Sequence, residues 1–98
     1  MTYRSKTLIR AAEGRPCALP ECGSVGTTIA AHVNSVALGK GRGLKAPDYF
    51  TAHLCQYHHD LYDGRVGKLT KAEKEDLWNR AYVRTVARWF EERIVVVK

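Results

Sequence analysis

Cys55-Gln56-Tyr57-His58-His59-Asp60-Leu61-Tyr62-Asp63 places one thiol, two adjacent imidazoles and two carboxylates in a single short stretch, between an apolar run and Gly64. Groups of these kinds coordinate metals and move protons, so the stretch marks the chemical centre of the chain. It has a counterpart upstream. Cys17-Ala-Leu-Pro-Glu-Cys22-Gly23 has the form of a zinc knuckle, in which a proline bends the backbone and a glycine relieves crowding beside the second sulfur.

A structural zinc ion takes four ligands in a closed tetrahedron, and Cys17, Cys22, Cys55 and His58 supply four. The Cys55-x2-His58 spacing lets both side chains reach one ion from a turn. His59 then points about 100° further round as a helix begins, which leaves it for a different task. Four residues on, Asp63 falls on the same helical face, and such a His/Asp pair can grip one divalent ion. That second ion would be catalytic in character, with few protein ligands and open positions for water and phosphate. For the thiols, the plainer alternative is a set of buried free cysteines.

The rest of the composition agrees with a small metal-stabilised domain. At 98 residues the chain is expected to be one domain, residues 1–98, near the lower end of what a hydrophobic core alone can hold together. Three cysteines cannot all pair, and neither a secretory signal nor a stretch of about 18 apolar residues is present, so a cytoplasmic protein with reduced thiols and no membrane partner is expected. Sixteen Lys and Arg against ten Asp and Glu give a net charge of +6, which suits an anionic partner such as DNA. Lys40, Arg42 and Lys45 form a compact, acid-free cluster; a solvated basic surface would have the same composition.

Ser5 to Glu13 reads as a short helix stopped at Gly14. Thr27 to Val33 is β-branched and short, a strand with Ile29, Ala31 and Val33 on one side and His32 on the other. Gly39-Lys40-Gly41-Arg42-Gly43 reads as a phosphate-contacting loop, though without the ending of a P-loop. Asp48 to Leu54 reads as the partner strand, and His58 to Tyr62 as a short helix ended near Gly64, giving strand, strand and helix in sequence. Thr70-x-x-Glu73 is a capping box opening a long helix to about residue 92, with a stripe of Leu77, Trp78, Ala81, Tyr82, Thr85, Val86, Trp89 and Phe90. Lys74, Arg80, Arg84 and Arg88 fall largely on its other faces. Ile94 to Val97 is an apolar tail, suited to a last strand, a cover for the core or a contact in a dimer.

Over roughly residues 8 to 65 the sequence resembles the HNH-type ββα-metal endonucleases, and in particular the YbcO-like nucleases of phages and prophages. The resemblance rests on Arg10-Ala-Ala-Glu-Gly-Arg-Pro-Cys17, Cys22, Ala31-His32-Val33-Asn34, the segment from Gly39 to Asp48, and Cys55-x2-His58-His59-Asp60-x2-Asp63-Gly64-Arg65. It implies an α+β fold of the HNH or His-Me finger type, a zinc-stabilised ββα core over about 15–65 with flanking N-terminal and C-terminal helices. It also implies a DNA endonuclease in a bacterial host cell. His32 would be the general base, Asp48 would orient the loop or that histidine, and His59 with Asp63 would hold a catalytic Mg²⁺ or Mn²⁺. Lys40, Arg42, Lys45 and Arg65 would hold the phosphate backbone. The sequence departs from the family pattern at Ala31, where many members place an acidic residue or histidine before the base. It departs again at Asp48, two residues before the usual middle asparagine. Asn34 and Asp60 are the nearest substitutes for the ligand missing at Ala31. A non-catalytic zinc module that binds nucleic acid, and a structural adaptor in a phage assembly, are the rival readings.

Overall fold

The computed structural model describes residues 3–34 and 45–95. Five elements follow in order: α1 (Lys6–Arg10), β1 (Ile29–His32), β2 (Thr51–Leu54), α2 (Gln56–Asp63) and α3 (Lys71–Glu91). The result is a small α+β arrangement around a two-stranded antiparallel sheet, in which Ile29 faces Leu54 and His32 faces Thr51.

Ser5 caps α1 by accepting the Leu8 N–H at 3.2 Å, but the helix closes at Arg10 and the chain continues in turns to Gly14, short of the expected Glu13. β1 is likewise shorter than Thr27 to Val33. The larger correction is at Asp48, which lies in a turn and not in the partner strand. Local hydrogen bonding explains it. The Phe50 N–H donates to the Pro47 carbonyl and the Thr51 hydroxyl to the Asp48 carbonyl, so these residues close a turn before the ladder begins at Thr51.

Every residue of β2 is buried. Helix α3 covers it, and Thr85 of that helix joins the two: its hydroxyl accepts the His53 N–H at 2.9 Å and donates to the Ala81 carbonyl at 2.8 Å. Trp78 reaches β1, donating its indole N–H to the Ala31 carbonyl at 3.0 Å while its ring stacks on Tyr82. The capping box at Thr70 and Glu73 is formed as expected. The predicted stripe is correct at Leu77, Trp78, Ala81, Thr85 and Trp89, all buried, and wrong at Phe90, which is exposed. Consecutive helical residues point about 100° apart, and Trp89 takes the core-facing direction.

Helix α2 begins at Gln56, two residues before the expected start, so that Cys55 occupies its N-cap. It ends on Gly64, whose φ of 82° is the left-handed conformation that glycine adopts without strain. Ile94 and Val95 are half-buried, and their N–H groups donate to the Trp89 carbonyl; the remainder of the tail lies outside the described residues. No helix among the described residues is long and apolar enough to cross a membrane.

Candidate metal centre and facing cleft

The knuckle and the start of α2 come together. Cys17 Sγ lies 3.7 Å from His58 Nδ1, Cys22 Sγ lies 3.9 Å from Cys55 Sγ, and Cys55 Sγ lies 3.2 Å from His58 Nδ1. The four ligand atoms fall within 4.8 Å of one another. A tetrahedral zinc with Zn–S bonds of about 2.3 Å sets neighbouring sulfurs about 3.8 Å apart, so the donor set fits a closed zinc site in kind and in spacing. Burial pushes the Cys17 thiol up to about 11, with smaller contributions from its neighbours, and burial also holds His58 below the usual histidine range. The Cys17 thiol keeps its proton until a cation displaces it, which couples metal binding to proton release. The backbone supports the same geometry: the Ala18 N–H donates to the His53 carbonyl at 2.9 Å, pinning the knuckle to β2.

One peptide bond further along, His59 leaves this cluster and lines an open cleft of about 450 Å³ shared with His32, Asn34, Lys45 and Asp63. His59 Nε2 stands 3.3 Å from Asp63 Oδ2, the expected pairing along one helical face. His59 Nδ1 is buried without a hydrogen-bond partner among the described residues, the Asp60 carboxylate being 3.7 Å away. Across the cleft, His32 is half-buried at the end of β1, and its Nε2 lies 2.8 Å from Asp48 Oδ1. Burial works to raise the Asp48 pKa, but hydrogen bonds from His32, the Ser5 N–H and Arg4 outweigh it and hold the carboxyl below its ordinary value.

The residues weighed as substitutes at the Ala31 position separate here. The Ala31 side chain itself is buried in the core, away from the cleft. Asn34 lines the cleft, and its N–H donates to the Tyr62 hydroxyl at 2.7 Å. Asp60 is engaged elsewhere, accepting from Gln56 Nε2 at 2.8 Å and lying 3.8 Å from Arg65. Arg65 is therefore turned toward Asp60 and does not line the cleft, unlike Lys45. Lys40 and Arg42 lie outside the described residues. On α3, Arg80 is paired with Glu21 and Asp76, and Arg88 donates to the Pro16 carbonyl and to His53.

Sequence reasoning passed over two groups that shape this region. Arg4 donates to Asp48, and His53 is a buried histidine that accepts from Arg88 through Nδ1 at 3.2 Å. Arg4 carried no signal, because its partner is more than forty positions away in the chain. His53 was visible as a strand residue flanked by apolar neighbours.

A solved Escherichia coli K-12 structure, described as a "putative bacteriophage protein", superposes on this chain with a TM-score of 0.66. The two share a fold. The match covers 88% of this chain and 99% of the other at 24% identity, which carries the architecture and not an activity. No family model matches the sequence, and no curated protein matches it.

Proposed function

We propose that the protein is a metal-dependent DNA endonuclease of the HNH or ββα-metal type, held together by a separate structural zinc. The observation that carries this reading is the shared cleft. His32, oriented by Asp48, faces His59 and Asp63 next to a four-ligand Cys/His cluster, in the strand, strand and helix order. The description of the structural neighbour as a phage protein supports a phage or prophage setting.

With Asp48 accepting from Nε2–H, the His32 tautomer leaves Nδ1 as the lone pair available to take a proton from an attacking water. His59 and Asp63 would hold a Mg²⁺ or Mn²⁺ ion; their ligand atoms, 3.3 Å apart, suit adjacent positions around an ion whose bonds are about 2.1 Å. When bound, the ion would offset charge on the phosphoryl oxygens and the leaving oxygen. Lys45 at the cleft wall would hold the DNA backbone, a contact that positions the strand without reading its bases.

The test is metal analysis of the purified protein followed by plasmid nicking with Mg²⁺ or Mn²⁺, for wild type and His32→Ala in parallel. One tight zinc and nicking that depends on His32 is the expected result. DNA binding without any nicking would instead favour a zinc-stabilised binding module, and an equally active His32→Ala protein would remove the base from the reading.

A further inference from the structure

We propose that Arg4 is a positioning residue for the cleft, acting through Asp48 on His32, so that the segment before α1 completes the site. The inference rests on the nuclease reading for its catalytic consequence, though not for its geometry. Arg4 Nη1 donates to Asp48 Oδ1 at 2.9 Å, the same oxygen that meets His32 Nε2 at 2.8 Å. The other carboxylate oxygen accepts the Ser5 N–H at 2.6 Å. The Asp48 N–H donates in turn to the Tyr3 carbonyl at 3.0 Å. Arg4 also grips the chain entering the site, donating to the Ala46 carbonyl at 2.7 Å and the Lys45 carbonyl at 3.2 Å.

Two consequences follow from one guanidinium sharing a carboxylate with an imidazole. The first is geometric: both Asp48 oxygens are engaged, so the carboxylate has one orientation and the imidazole it meets has one direction. The second is electrostatic. Asp48 is almost fully buried, and the Arg4 guanidinium supplies the opposite charge that its carboxylate needs there, helping to hold the carboxyl below its ordinary value. Among the described residues, Lys45, His59 and Asp63 are the other charged or titratable groups on this cleft, and Lys6, Arg10 and Glu13 line the adjoining hollow beside Arg4 and Asp48.

The experiment compares wild type, Arg4→Lys, Arg4→Gln and Arg4→Ala in the zinc-loaded full chain, by pH profile of nicking and by NMR titration of the His32 ring. Losing the charge is expected to move the acid limb of the profile, and the midpoint of the His32 ring signals with it, upward in Arg4→Gln and Arg4→Ala. kcat should fall on the order of 10-fold with KM within about 2-fold, because the residue acts through the base and not on the substrate. Arg4→Lys keeps the charge and should restore the pH profile. A wild type that never nicks would end the nuclease reading and leave the titration to decide the positioning role. Unchanged titration and unchanged acid limb in both neutral variants would overturn the proposal, whatever their rates.

Discussion

His32 Nε2 and Asp48 Oδ1 meet at 2.8 Å across a turn that the chain closes between Pro47 and Thr51. The pair links a strand end to a loop, and its carboxylate half is buried. Asp48→Ala should therefore lose nicking by on the order of 10-fold or more while keeping the zinc, since general-base catalysis typically contributes about 10²- to 10⁴-fold and a mis-aimed base forfeits part of that. Rates on plasmid substrate together with zinc content check it. A variant as fast as wild type would show that the pairing does not orient the base.

Removal of zinc should cost the fold. Structural zinc in small domains contributes on the order of 10 kcal/mol of apparent binding free energy, more than a core of this size holds in reserve. Cys17→Ser or Cys55→Ser, or treatment with a strong chelator, is expected to abolish the cooperative thermal transition seen by circular dichroism. Retention of that transition in a metal-free sample would mean that the core of Leu19, Leu54 and Trp78 suffices alone.

Acid should destabilise the protein through His53. Burial, reinforced by the Arg88 and Arg15 charges, lowers this histidine to about 4, so the folded state keeps it neutral where the unfolded chain takes up a proton. Its folded value lies below the ordinary 6.5, so the stability it contributes is full above about 6.5 and lost as pH falls toward 4. The loss amounts to roughly 3 kcal/mol over that window. Urea denaturation of zinc-loaded wild type and His53→Phe across the range separates this effect from proton competition at the thiols. The variant should show the shallower pH dependence, and equal slopes would exclude His53 as the cause.

Thr85→Val should be more damaging than its small change in shape suggests. The hydroxyl satisfies the buried His53 N–H, and valine leaves that donor without a partner at a cost of about 1–3 kcal/mol. Thr85→Ser keeps the hydroxyl and is the control. A Val variant no less stable than the Ser variant, measured by denaturant midpoint, would mean that the N–H finds another acceptor.

Thr70→Ala removes one half of the capping box and is expected to cost about 1 kcal/mol, read as a lower melting temperature with nicking unchanged.

What the sequence revealed and what it concealed divide along physical lines. Cys17, Cys22, Cys55 and His58 were legible because metal ligands must be particular residue types at spacings a turn can close. His59 and Asp63 were legible because helical periodicity is short-range. The capping box and most of the α3 stripe were legible for the same reason. Asp48 was misplaced into a strand because its turn is closed by local backbone and hydroxyl hydrogen bonds, which leave little trace in hydropathy. The placement of Arg65 beside Asp60 was not legible, because that ion pair is a choice among several reachable carboxylates. Arg4 was missed because nothing local in its sequence points to residues 45–48.

The two ends of the segment between Asn34 and Lys45 are each fastened by a group outside it: the Asn34 N–H by the Tyr62 hydroxyl, and the Lys45 and Ala46 carbonyls by Arg4. Tyr62 and Arg4 thus hold the backbone at two cleft-lining positions, Asn34 and Lys45, so a change at either distant residue should displace a cleft wall whose own side chains are untouched.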